Sequence, residues 1–201
     1  LGWVTTKEDH PLLRLDRQNV YHGASTSSYG YEYDYESNLK WNTHVNYICA
    51  KASSRLHFLK QLRKCSMSIG DMLHFYTAVI RPILEYACPV WHSSITKEQE
   101  NRIESIQRRA VYIINGLTTD YKEFCFNNNV LPLYERRLEL SQRFFNNCVL
   151  PPTSCLHYLL PSLRDDNIIS KLRNPSLYCI PTTRTERFKR CFINYAVEHF
   201  T

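Results

Sequence analysis

Apolar residues recur at helical spacing from residue 45 onward. Val45, Ile48, Ala52, Leu56, Leu59 and Leu62 are separated by 3, 4, 4, 3 and 3 residues, which puts them on one helix face. The pattern predicts a helix over 42–64 with Asn42 as its N-cap. Ile69, Leu73, Tyr76, Ile80, Ile83 and Ala87 repeat it and predict a second helix over 69–88, kinked at Pro82 and ended by Pro89. The stretch Tyr86–Trp91 is apolar nearly all round and is expected near the centre of the core. A third helix, 97–115, has the clearest start. Thr96 and Gln99 match a capping box, with Glu98 and Glu100 in the first turn. Ile103, Ile106, Ala110, Ile113, Ile114 and Leu117 form its buried face, and Gly116 is placed for a left-handed cap.

Weaker patterns follow. Asp120 and Glu123 predict the start of a short helix. Pro132 opens a longer one, with Leu133, Arg137, Leu140, Phe144 and Cys148 on one stripe, Leu138, Phe145 and Val149 beside it, and Pro151-Pro152 at its end. Ser154–Leu160 and Ile168–Arg173 are expected as short helices, whereas 174–201 is aromatic and basic without a clear period. Upstream, residues 1–37 do not look like core. Tyr21–Ser37 mixes five tyrosines with Gly, Ser and acids, and the head is expected to be disordered, apart from a possible strand at 1–6. The fold class expected is all-α: a helical bundle over 38–117, a helical region over 118–201 with an irregular tail, and a disordered N-terminal head at 1–37.

Composition narrows the possibilities. The chain has 201 residues and is 43% hydrophobic, enough for one domain or somewhat more. No apolar run reaches the roughly 18–20 residues of a membrane span, so no membrane partner is expected. No signal peptide is visible, and the first residue is Leu rather than Met, which suggests a fragment or a processed form. Net charge is +6, unevenly placed. Residues 1–37 hold three Lys/Arg against six Asp/Glu, and residues 38–201 hold 22 against 13. A basic body permits a polyanionic partner without requiring one.

Candidate chemistry is sparse. The eight cysteines form no C-x-x-C pair and are expected free and reduced. Cys148, Cys155 and His157 lack a fourth ligand, so no metal site is expected. There is no phosphate-binding glycine loop, nucleophile elbow or H-E-x-x-H. His44, His57, His74 and His92 fall at unrelated phases and are expected at surfaces or helix ends. Asp165-Asp166 is expected to cap a short helix rather than to hold Mg²⁺. No catalytic residue, small-molecule substrate or cofactor is assigned. Basic residues border the apolar stripes instead: Lys51 and Arg55 on one flank of the first helix, Lys60 and Lys64 on the other, and Arg102 and Arg109 seven apart on the third.

Several segments carry a family resemblance: Asn38–Val45, Lys51-Ala52-Ser53-Ser54-Arg55-Leu56, Phe58–Lys64, Tyr76 with Val79–Trp91, Ile106-Gln107-Arg108-Arg109-Ala110, Tyr134, Arg136-Arg137 and Arg184-Thr185-Glu186-Arg187-Phe188. In this order, over about 38–201, they resemble reverse transcriptases of non-LTR (LINE, jockey-type) retrotransposons. The resemblance implies an RNA-directed DNA polymerase's helical thumb and the region after it, without the palm. The family's aromatic-Ala-Asp-Asp motif is absent, so the chain is expected not to be an enzyme, and any Mg²⁺ would belong to the missing palm. It also implies sequence-independent binding of an RNA–DNA or DNA duplex backbone and a possible nuclear location. The candidate contacts are Lys51, Arg55, Lys60, Arg63, Lys64, Arg102, Arg108 and Arg109. The alternative expectation is a non-binding helical remnant or protein-interaction module of a decayed mobile element, with Trp41, Trp91 and Tyr86 left as orphaned interface residues.

Overall fold

The structure is a computed structural model that describes residues 40–116, 120–169, 177–180, 182 and 184–201. The expectations for the head at 1–37, including a strand at 1–6, lie outside the described residues. So do Leu117 and most of the predicted helix Ile168–Arg173.

Among the described residues the fold is all-α, with a single isolated antiparallel bridge between Leu163 and Tyr178. Helix α1 (Asn42–Lys64) buries Val45, Ile48, Cys49, Ala52, Leu56 and Leu59, close to the face the spacing predicts. Its N-cap is Trp41 in the left-handed region rather than Asn42, and the Asn42 side chain instead accepts from Gln99 Nε2 at 2.7 Å. Helix α2 (Ile69–Phe75) starts at Ser68, whose hydroxyl accepts from Asp71 N. It runs through a π-helical turn, Tyr76–Ile80, into α3 (Arg81–Glu85), which carries Pro82 in its first turn. A proline ring removes one N–H and crowds the preceding turn, and the wider π turn accommodates it.

The helix ends three residues earlier than expected. Tyr86 turns extended and Ala87 adopts φ 50°, so Pro89 opens α4 (Cys88–Trp91) instead of ending α3. Proline fits a first turn because its missing N–H has no helical partner there. The break is held by Trp91 Nε1, which donates to the Tyr86 carbonyl at 3.0 Å. A 3-10 turn at His92–Ser94 leads to α5 (Lys97–Asn115), where both bonds of the Thr96–Gln99 capping box form. Gly116 follows with φ 101° and ψ 164°, a positive-φ terminus but not the left-handed helical one expected.

Helix α5 organises the rest through polar side chains. Gln107, fully buried, accepts from Tyr76 Oη at 2.5 Å and donates to Tyr121 Oη and to the Leu131 carbonyl at 2.7 and 3.0 Å. Tyr121 Oη donates to Glu104. Glu104 also accepts from Leu133 N at 3.0 Å, at the start of the helix that Pro132 cannot cap with a side chain. An acid at a helix N-terminus satisfies an orphan N–H and complements the dipole. One buried chain of hydrogen bonds thus joins the π turn, α5, α6 (Tyr121–Asn127) and α7 (Leu133–Phe144).

The apolar cluster around α1–α5 therefore continues through Phe124, Cys125, Val130 and Leu133. Trp41 and Trp91 are buried within it, so they are core residues and not orphaned interface, whereas Tyr86 is exposed. Helix α7 buries Leu133, Arg137 and Ser141, and its π-helical extension Phe145–Val149 buries Phe145 and Val149. That stripe steps by four residues throughout, whereas the sequence spacing runs it through Leu140, Phe144 and Cys148 and sets Phe145 and Val149 beside it. Phe145, Val149, Tyr178, Ala196 and Val197 form a second cluster, to which α10 (Phe192–His199) contributes Ala196 and Val197; the short helices α8 (Asp166–Ile169) and α9 (Glu186–Lys189) precede α10 in the chain. Ser93 and Ser94 donate to the Arg190 carbonyl and tie that C-terminal end to the bundle. Asp165 accepts from Asn167 N at 2.9 Å at the start of α8, the capping role expected of it.

Candidate nucleic-acid interface

Helix α1 carries Lys51, Arg55, Lys60, Arg63 and Lys64 and no acid, and no Asp or Glu stands between Glu36 and Asp71. α1 and α5 run in the same direction. Gln99 reaches Asn42 at one end, and Arg63 reaches Tyr112 and Ile113 at the other. Their C-terminal ends therefore lie together, where unpaired carbonyls and the negative ends of two helix dipoles favour cations. Arg63 Nη1 donates to the Tyr112 carbonyl at 3.2 Å and also to that of Ile113. The positive φ of Gly116 lets the chain leave α5 beside that guanidinium. Lys60, Arg63, Lys64, Tyr112, Ile113 and Gly116 line an open depression of about 600 Å³.

The basic rim continues up the seam. Arg102 Nη2 donates to Asn46 Oδ1 at 2.7 Å, bridging α5 to α1. Arg109 lies seven residues after Arg102 and four before Ile113, hence on the same flank of α5. The structure therefore brings Lys60, Arg63, Lys64, Arg102 and Arg109 to the α1/α5 seam, over about 20 Å at 1.5 Å per residue. Among the described residues, Lys60, Lys64 and Arg109 make no ion pair. An acid, Glu98, stands at the N-terminal end of the α5 flank.

Three predicted contacts are elsewhere. Lys51 and Arg55 occupy the other flank of α1, with Lys51 Nζ 5.4 Å from the Tyr47 ring centroid and Arg55 6.0 Å from that of Phe58. Arg108 lies across α5, 5.3 Å from the Tyr121 ring. Asp71 and Glu85, on the continuous α2–α3 helix, are already engaged. Asp71 accepts from Ser68 Oγ at 2.7 Å, and Glu85 pairs with Arg81 at 3.2 Å and Arg136 at 3.5 Å. Burial raises the Glu85 carboxyl against the pull of those two guanidiniums.

The most unusual electrostatic feature is internal. Arg137 is fully buried, its guanidinium 5.5 Å from the Trp91 ring, and its Nε donates to His92 Nδ1 at 3.4 Å. The two terminal nitrogens are buried without a hydrogen-bond partner. Burial, and secondarily the Arg137 charge, lowers His92 to about 4, so His92 is a neutral buried acceptor; it stands at the helix end expected, where α4 meets the 3-10 turn, but not at the surface. Burial also pushes the Cys88 thiol up to about 12, so it is an unreactive thiol at neutral pH. The signal in sequence was the four-residue spacing Leu133-Arg137-Ser141-Phe145. Among the described residues no group of three His, Cys, Asp or Glu is arranged to hold a metal ion.

Residues 41–81, about a fifth of the chain, match one family model, whose description is Alkylated DNA repair protein alkB homolog 8, N-terminal. No curated protein and no solved structure matches the chain. The match is not to a reverse transcriptase family, and it falls on the first part, 41–81, of the 38–201 span that suggested one. The polymerase thumb, the template–primer role and the decayed mobile element are overturned together. The physical reason lies in which residues carried that resemblance. Trp41, Leu56, Leu59, Tyr76, Ile80, Leu84 and Trp91 are buried packing residues, so their pattern reports a helical core and not a polymerase.

Proposed function

We propose that this chain is a non-catalytic helical module that holds a nucleic-acid phosphate backbone along the α1/α5 seam. The observation that carries the reading is the convergence of Lys60, Arg63, Lys64, Arg102 and Arg109 on one edge of two parallel helices. Lys and Arg side chains along an open helical seam meet phosphates, not base edges, so binding is independent of sequence. The partner is a DNA or RNA–DNA duplex. The matched segment includes α1, and its description names a DNA repair protein, which is in keeping with such a partner. No cofactor is required.

Titrating the full chain against a fluorescent duplex across a salt series tests this. Three to five phosphate contacts give a slope of log K against log salt of about −3 to −5. Reversing Lys60 and Lys64 to Glu weakens binding at least tenfold at low salt, whereas Arg108→Glu changes it little. Affinity that ignores salt, or an Arg108→Glu effect equal to that of the seam reversal, overturns the assignment.

A further inference from the structure

The other flank of α1 is basic and aromatic, and the duplex seam does not use it. Tyr47, Lys51, Arg55 and Phe58 follow one another at spacings of four, four and three residues, one stripe along the helix. Tyr47 is 55% exposed and Phe58 51%, high for large rings on a helix that buries Val45, Ile48, Leu56 and Leu59. They stand eleven residues apart, about 16 Å along the axis, with two cations between them. Each ring lies beside a cation, Lys51 over Tyr47 and Arg55 over Phe58.

This alternation of ring, cation, cation and ring fits one class of ligand. An unpaired nucleic-acid strand offers base faces for rings and phosphates for cations, spaced about 6 Å or more per nucleotide when extended, so three nucleotides span the stripe. Lys51 and Arg55, with no acid on α1 to oppose them, favour a polyanion, and the two exposed rings favour a strand over an acidic protein helix because only a strand offers base faces to stack on Tyr47 and Phe58. An exposed cation–π contact is worth less than base stacking, so a base displaces the resting contact or stacks on the ring's open face.

Resting on the backbone reading above, we infer that α1 contacts nucleic acid on both flanks: a duplex backbone in the α1/α5 seam, and an unpaired strand stacked on Tyr47 and Phe58. The preferred ligand is then a duplex carrying a short single-stranded tail.

The test compares three DNA ligands on the full chain: a blunt duplex, the same duplex with a six-nucleotide tail, and one with an abasic tail of the same phosphate count. The tailed duplex is expected to bind about tenfold tighter than the blunt one, and the abasic tail to lose most of that gain. A Tyr47→Ala/Phe58→Ala double variant, both positions half-exposed and so compatible with the fold, loses the gain yet binds the blunt duplex as before. An abasic tail that binds as tightly as the base-bearing one overturns the stacking inference and leaves the seam intact. Failure of all three ligands to bind overturns the seam reading, and this inference with it.

Discussion

The two apolar clusters are built by different means. The first, from Trp41 to Leu133, is largely aliphatic and is threaded by amides, tyrosines and an acid on α5. The second, from Phe144 to Phe200, sets a knot of rings among aliphatic side chains. Phe145 meets Phe192 and Phe200 edge-on or tilted at 6.3 and 6.0 Å, and Phe144 meets Phe192 at 5.8 Å. Buried hydrogen bonds are directional, so a core that contains them rejects alternative packings. Ring clusters gain from area and tolerate several arrangements. The first region should therefore hold a fixed geometry for the basic seam, and the second should be the part that opens first.

Removing a ring from the second cluster tests that division most severely. Phe145 is fully buried, and Phe145→Ala should cost about 3–5 kcal/mol. Amide exchange should then accelerate in α10 well before α1 or α5. Uniform loss of protection would mean one cooperative core, and the division would fail.

The seam between the clusters gives the next effect. His92 belongs to the turn that Arg190 docks on, and its ring accepts from Arg137 of α7. Because the folded state holds His92 neutral, lowered from 6.5 to about 4, the unfolded chain binds a proton first as pH falls. Stability is full above pH 6.5 and is lost progressively toward pH 4, by about 3 kcal/mol. His92→Gln keeps an acceptor without the titration. Urea midpoints of the two proteins should diverge between pH 6.5 and 4, and parallel curves would remove His92 from the account.

The same contrast explains what could be read from sequence. The α1 and α5 faces and the Thr96–Gln99 box were legible because they depend on residues three or four apart. The break at Tyr86–Ala87 was not, since it rests on Trp91 reaching back to a carbonyl and on a positive φ at alanine. The place of Arg137 on the stripe was correct, but nothing local says that a guanidinium will be buried on Trp91 without a carboxylate. The second cluster joins Phe145 to residues some fifty positions away, beyond any helical period. Of the basic residues, five of the eight predicted converge. The absence of acid from α1 was visible in the sequence, but which flank meets α5 depends on the packing.

A smaller change probes the polar thread itself. Gln107→Leu keeps most of the volume but strands the hydroxyl of Tyr76, which burial holds protonated, and the carbonyl of Leu131. Leaving such groups unpaired should cost about 2 kcal/mol in urea unfolding. Adding Tyr76→Phe removes one stranded group, so the double variant should recover part of the loss instead of adding to it. If the two losses simply add, the hydroxyl and the amide are not coupled, and the first cluster is held by its aliphatic packing alone, as the second is by its rings.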